Sequence, residues 1–518
     1  MGLSKTWANP ALLVLAACGT VERAEPNPPP PPPPVASDTA LIEVDNSTTY
    51  QTVRGFGGTT WTLVYPNGDH LGPYRAAAIE AAFGDVGISV GMLSIGLVET
   101  PLDATDPWTQ RGNDNNDPSL IAEAGFNFTG SDILRDAILT PASAYGYDRL
   151  ELGPLIDLRG PLNWLQPIRA TDYQRYLDEV AEHVLAVVRH WRDAYGLSPQ
   201  LLHLFNEPTS GNGELVSTSV QEVVDIVERA GNRLRDAGFA SVKFVVPNEE
   251  TIGRSLDVAR AILADPGARP YVGAIGYHAY PYGSVYASPA RILATSGSGS
   301  PDQETRQLLG QLKTLGEQYE VPIWLTEVSE GPGNTDFGFD AIENVLARAI
   351  HIHDNFAYAG ASAFFGMITI WDSQTHAEHF AGRDVPFLSE QSGMVLVDAG
   401  TGQIMITGMG YAVGQYARWI GREAVRIGAT SGSARVIVTA FRNQTDGKIV
   451  VVAVNNESTE QLLRIALKGA SSAGAASGEL SYQGLRWQAI PPFTPSNGTE
   501  ITYVAPARSV VTLAIPLR

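Results

Sequence analysis

Two glutamates stand directly after apolar runs. Leu201-Leu202-His203-Leu204-Phe205 leads into Asn206-Glu207-Pro208, and Pro322-Ile323-Trp324-Leu325 leads into Thr326-Glu327-Val328-Ser329. Two opposed carboxyls are what hydrolysis of a glycosidic bond requires. One is protonated and donates to the leaving oxygen, while the other is ionised and attacks the anomeric carbon. A retaining enzyme holds them about 5–5.5 Å apart, and an inverting one leaves room for water between them. Proximity also helps one group keep its proton while the other is charged. Glu207 is assigned as acid/base and Glu327 as nucleophile, with Asn206 placed to bind the hydroxyl beside the reacting carbon. The competing reading is a pair of ordinary strand-end glutamates capping helices. The matched contexts, 120 positions apart, favour the chemical one.

Side chains that could hold a sugar are fewer. His278-Ala279-Tyr280 follows another apolar run, so either polar residue could orient Glu327 or touch substrate. Trp371 ends a further run and is expected as the floor of the catalytic subsite, because aromatic faces cover the apolar face of a pyranose. Trp61 has a similar case, and Trp108 and Trp164 are candidates for outer subsites. Trp191 and Trp419 lie on helical segments and are expected to pack. Gly55-Phe56-Gly57-Gly58 lacks the spacing of a dinucleotide fingerprint. His351 and His353 would face different ways on a helix, and His376 and His379 have no evident partner ligands. No cofactor and no metal are therefore expected.

The elements that must position these residues repeat. Strands are expected at Arg54–Thr59, Ile88–Leu93, Leu150–Ile156, Leu201–Phe205, Val242–Val246, Val272–Tyr277, Pro322–Thr326 and Ala361–Trp371. Helices are expected at Thr171–Tyr195, Val220–Ala237, Leu256–Leu263, Gln303–Gln318 and Asp340–Tyr358. Nearly continuous apolar strands alternating with helices argue for a parallel sheet covered by helices. Eight strands fit a closed (β/α)8 TIM barrel, and on this numbering Glu207 follows the fourth strand and Glu327 the seventh. Asp103–Thr129 is long, polar and rich in Asn and Asp, a loop over one barrel face. After Trp419 the texture becomes short strands and Asn/Gly/Ser turns, including one strand at Glu479–Gln488, so an all-β sandwich is expected as a side domain.

The chain has 518 residues, is 44% hydrophobic and carries a net charge of −20. That excludes a disordered tail protein and disfavours nucleic acid as partner. Its only cysteine, Cys18, sits in Leu15-Ala16-Ala17-Cys18-Gly19 after a short apolar run too brief to span a membrane. This looks like the lipidation motif of a bacterial lipoprotein precursor, giving an exported, membrane-anchored protein, periplasmic or at the cell surface. Pro28 through Pro34 would form a stiff polyproline spacer. The expected division is residues 1–17 as signal peptide, 18–40 as lipidated cysteine and linker, 41–53 as a strand lent to the β-domain, 54–422 as barrel and 423–518 as sandwich. The expected partner is a glycan, and the chain is expected to be a monomer.

Gln51-Thr52-Val53-Arg54-Gly55-Phe56-Gly57-Gly58, Asn206-Glu207-Pro208 and the strand-end Glu327 together resemble glycoside hydrolase family 30. Tyr411 through Ile420 resembles that family's last barrel helix, which leads into its β-domain. The resemblance implies a clan A barrel, a closely packed sandwich partly built from residues 41–53, and retaining cleavage, with Glu207 matching the acid/base and Glu327 the nucleophile. An arginine that family members often carry near the second strand has no counterpart in Ile88-Ser89-Val90-Gly91-Met92-Leu93. The family's substrates include xylans, β-1,6-linked glucans and galactans, and smaller glycosides; xylan is placed first. A noncatalytic carbohydrate-binding lipoprotein and a transglycosylase are the alternatives.

Overall fold

The computed structural model describes residues 38–518 except 61–70, 95–97, 107–109, 211–212, 214, 216–217, 281–287, 296–300, 330–336, 384, 390–392 and 496. Cys18, the proline run, Trp61 and Trp108 lie outside the described residues. No helix among the described residues is long and apolar enough to cross a membrane.

Eight parallel strands close into a ring. They are Gly55–Thr59, Val90–Met92, Glu151–Leu152, Leu201–His203, Lys243–Glu249, Val272–His278, Ile323–Glu327 and Ala361–Asp372. Register runs Gly57↔Val90, Glu151↔Leu201, Phe244↔Val272 and Ile323↔Ile275. A single bridge, Leu93↔Leu152, joins the second strand to the third, and Ala363↔Gly55 closes the eighth onto the first. The strands read as continuous apolar runs because both faces are buried. Val245, Ala274, Trp324, Ala363 and Phe365 fill the interior. Their neighbours Phe244, Ile275, Leu325 and Phe364 join the layer beneath the helices. Close strand contact requires glycine at position 57, where a Cβ would meet the Val90 carbonyl oxygen at 1.6 Å.

The longest covering helix among the described residues is amphipathic and capped at both ends. Tyr173–Tyr195 starts at Asp172, whose side chain accepts the Arg175 N–H, and stops at Gly196 with φ 69°. That pairing of an acidic N-cap with a left-handed glycine satisfies backbone groups at both ends. Trp191, on this helix, is wholly buried, as its expected packing role requires.

The same helix anchors the polar segment after the second strand. Asn113 Nδ2 donates to Glu179 Oε1 at 2.8 Å, and the Ala122 N–H donates to Asp114 Oδ2 at 2.6 Å. Glu99, Asp114, Glu179, Glu182 and His183 are all at most 3% exposed. Neither carboxyl oxygen of Glu182 has a hydrogen-bond partner. The described part of the segment is thus held against this helix through Asn113 and a buried acidic cluster.

Among the described residues the sandwich has nine strands, one of which precedes the barrel in sequence. Asp38–Thr52 pairs antiparallel with Val425–Ser431 and parallel with Gln461–Lys468. The stretch read as one strand at Glu479–Gln488 is instead a hairpin. Ala476–Tyr482 and Leu485–Phe493 pair antiparallel about Gly484, whose φ of 75° is what the turn needs. A second hairpin, Gly393–Asp398 with Gln403–Ile406, extends the barrel sheet and was not expected.

Barrel and sandwich share a polar seam. Gln415 on the helix Gly408–Ala417 donates to Ser481 Oγ at 2.7 Å and accepts from Thr512 Oγ1 at 2.7 Å. Trp419 donates to Glu479 at 3.0 Å and Trp487 donates to the Tyr411 carbonyl at 3.0 Å. Gly414 lets Trp487 lie flat on the helix, since a Cβ there would come within 2.1 Å of the indole.

Candidate active site

Glu207 and Glu327 meet at the C-terminal ends of the fourth and seventh strands. Glu207 has φ 49°, a left-handed conformation uncommon for a non-glycine residue. Its N–H donates to the Asn248 carbonyl at 2.8 Å, tying it to the fifth strand. The returning chain passes so close that a Cβ on Gly213 would sit 1.8 Å from the Glu207 carbonyl oxygen. Strain of this kind persists only where surrounding contacts over-determine it, and it concentrates at functional sites.

Between the two carboxyls lies His278. Its Nδ1 is 3.2 Å from Glu207 Oε1 and 3.9 Å from Glu327 Oε1. One ligand atom from each of the three residues lies within 4.8 Å of the others. The imidazole is fully buried, and the glutamate side chains are 12% and 10% exposed. Tyr280 donates its phenolic hydrogen to Glu327 Oε1 at 2.8 Å. Ser210 Oγ makes a longer contact of 3.4 Å to Glu207 Oε2.

The electrostatics follow from this crowding. Burial raises the Glu327 pKa and the Glu207 charge adds to the rise, while His278 and the Tyr280 hydrogen bond pull the other way. Burial opposes charge on His278, but the Glu327 and Glu207 carboxylates outweigh it and the ring's pKa is raised. Burial, with the Glu327 charge next, drives Tyr280 well above the ordinary phenol range, so it keeps the proton it donates.

Tyr280→Phe tests that contact. Losing a hydrogen bond to a charged group costs about 1.5–3 kcal/mol, so kcat/KM should fall roughly 10- to 100-fold. Because the phenol lowers the Glu327 pKa, its removal should also move the acidic limb of the pH–rate profile upward. An unmoved limb with full activity would remove Tyr280 from the site.

Of the residues singled out from sequence, Glu207, Glu327, His278 and Tyr280 converge. Asn206 is half-buried beside Glu207. Trp164 is also half-buried, precedes the helix Leu165–Thr171 and packs on the main core. Trp371 departs from the expected open sugar platform. It is 2% exposed, packs with Ile368, Phe380 and Leu396, and donates from Nε1 to His376 Nδ1 at 3.1 Å. The eighth strand runs one residue beyond the tryptophan, so its ring joins a satellite core instead of ending at an open rim. His376 is thereby structural, as are buried His351, 2.6 Å from Arg348, and His353, 2.7 Å from Thr439.

Two supporting residues were missed. Asn248 has φ 57°, donates to the Phe205 and Val245 carbonyls and accepts from Thr326 at 2.8 Å, linking the strands that carry both glutamates. Glu249 is fully buried and accepts the Thr209 N–H at 2.8 Å, holding the turn after Glu207. The signal was present: Pro247-Asn248-Glu249-Glu250 follows an apolar strand just as Asn206-Glu207-Pro208 does.

Residues 423–513 match the glycosyl hydrolase family 30 beta sandwich domain. The whole fold is similar to solved structures. An endoxylanase of that family from Clostridium papyrosolvens C71 is 19% identical, with 93% of this chain and 100% of that one covered and a TM-score of 0.63. A subfamily 8 xylanase from Clostridium acetobutylicum is 17% identical over 92% and 99%, also at 0.63. An endo-β-1,6-glucanase is 18% identical over 93% and 95%, at 0.57. No curated protein matches the chain. The chain thus has a fold like that of glycoside hydrolase family 30 structures, a C-terminal domain matching that family's sandwich, and a buried cluster of two glutamates and a histidine consistent with a retaining glycoside hydrolase active site.

Proposed function

We propose that the protein is a retaining β-glycoside hydrolase that cleaves a β-linked glycan by double displacement, with xylan the first substrate to test. Glu207 donates a proton to the leaving oxygen while Glu327 attacks the anomeric carbon. Glu207 then takes a proton from water, which releases the sugar from Glu327 with its original configuration. The reading is carried by the spacing of the acidic set within 4.8 Å, which suits a direct nucleophile better than a water-mediated one. The hydrogen-bond partners suit the two roles. Tyr280 offers Glu327 a donor, which opposes the rise that burial imposes on the carboxyl and holds its oxygen for attack. Glu207 contacts Ser210 and His278, which orient its carboxyl toward the leaving oxygen. Asn206 is assigned to the neighbouring sugar hydroxyl, with Trp164 and the undescribed Trp61 and Trp108 as further sugar contacts. Export and a lipid anchor at Cys18 would place this chemistry at a bacterial surface or in the periplasm.

The testing screen incubates the purified chain with xylan, β-1,6-glucan, β-1,6-galactan and aryl β-glycosides. New reducing ends from xylan support the first choice. Cleavage of a β-1,6-linked polymer alone would replace xylan while keeping the mechanism. Binding without cleavage of any of them would favour a noncatalytic lipoprotein.

A further inference from the structure

We propose that Glu207, His278 and Glu327 form a three-ligand site for a zinc-like divalent cation, which binds in place of the glycan and blocks the cleft. The cation is a competing ligand and takes no part in hydrolysis. The inference rests on the geometry of the trio, and its exclusion of glycan rests on the function proposed above.

Zinc takes imidazole nitrogen at about 2.0–2.1 Å and carboxylate oxygen at about 2.0–2.2 Å, which puts neighbouring donors about 3.3–3.5 Å apart. His278 Nδ1 already lies 3.2 Å from Glu207 Oε1 and 3.9 Å from Glu327 Oε1. All three donor atoms lie within 4.8 Å of one another, so the carboxyls must turn inward on binding to close the set. Three protein ligands with one position left open is the count found in catalytic zinc sites. No other group of three such side chains among the described residues brings its donor atoms this close.

The donor set also selects the ion. An imidazole nitrogen beside two carboxyls suits a borderline metal, whereas calcium and magnesium prefer all-oxygen ligand sets completed by water. Two carboxylates against one dication leave the buried site neutral. Tyr280, bonded to Glu327 Oε1, serves as an outer partner that orients the ligand. His278 Nε2 has no such partner, so binding should be weaker than at a closed structural zinc site.

The test titrates chelator-treated, untagged full chain with zinc by calorimetry, without glycan, and uses cobalt as a spectroscopic probe. The expected result is one saturable ion per chain and visible cobalt bands of a four- or five-coordinate site. His278→Ala should weaken binding about tenfold or more, while His379→Ala, at an exposed position, should not change it. Near-isosteric Glu327→Gln decides the matter if His278→Ala does not fold. Unchanged zinc affinity in a folded variant of either residue would overturn the site, as would only weak, multiple binding. Zinc binding in a chain that cleaves no glycan leaves this inference standing and removes the hydrolase reading. Glycan cleavage that zinc neither slows nor accompanies by binding removes this inference alone.

Discussion

Glu207→Gln should lose about 10²–10⁴-fold in kcat/KM on a glycan, and Glu327→Gln should lose more. The two losses differ in kind. Glu207 supplies a proton to the departing sugar, so its loss should nearly vanish on an aryl glycoside whose leaving group departs without one. Glu327 forms the bond to carbon, and no leaving group compensates for its absence. Initial rates of both variants on a polymer and on an activated aryl substrate separate the roles. If Glu327→Gln, rather than Glu207→Gln, recovered on the aryl substrate, the assignments would have to be exchanged. Glutamine preserves shape and hydrogen bonding at both positions, and circular dichroism checks that the fold is kept.

The second large effect concerns stability and lies away from the cleft. Burial, then the Asp114 and Glu179 charges, push Glu182 from an ordinary 4.5 up to about 9. Folded protein therefore holds a proton that the unfolded chain releases near 4.5. The sign follows: the contribution is whole below pH 4.5 and is lost as pH rises through about 9. Neighbouring His183 is depressed to about 4 by burial, so it costs stability only as pH falls below its ordinary 6.5. Between pH 6.5 and 9 the Glu182 slope is unopposed by that histidine. Wild type should lose stability there by up to about 1.4 kcal/mol per pH unit from this group. Glu99, buried and also raised, acts in the same direction. Urea midpoints measured at several pH values should fall more gently for Glu182→Gln, which should be more stable than wild type at pH 8. Parallel slopes for the two proteins would show that Glu182 is already charged at neutral pH.

The barrel was legible because its strands are buried on both faces and therefore appear as uninterrupted apolar runs. The glutamates stood out only as a pair, because each alone could be an ordinary strand-end helix cap while two in matched contexts are harder to explain that way. Asn248 and Glu249 carry the same signature, but their role is to hold the Glu207 turn and the neighbouring strands, which shows only once those strands lie side by side. Trp371 misled for a related reason. A tryptophan at a strand end suits a sugar platform or a core plug equally well, and only the later residues Phe380 and Leu396 decide which. The acidic cluster at Glu99, Asp114, Glu179 and Glu182 was invisible in the linear chain. Its members are spread over more than 80 positions and read individually as surface charges. The Ala476–Phe493 hairpin was blurred because Gly484 stands within a strand-like run, where glycine signals a turn only through its φ.

The most direct measurement is proton NMR of the sugar released during the first turnovers, before mutarotation scrambles it. Double displacement through Glu327 should yield the β-anomer first, from whichever β-linked glycan is cleaved. First appearance of the α-anomer would mean that water, not Glu327, attacks the anomeric carbon, and would contradict the account.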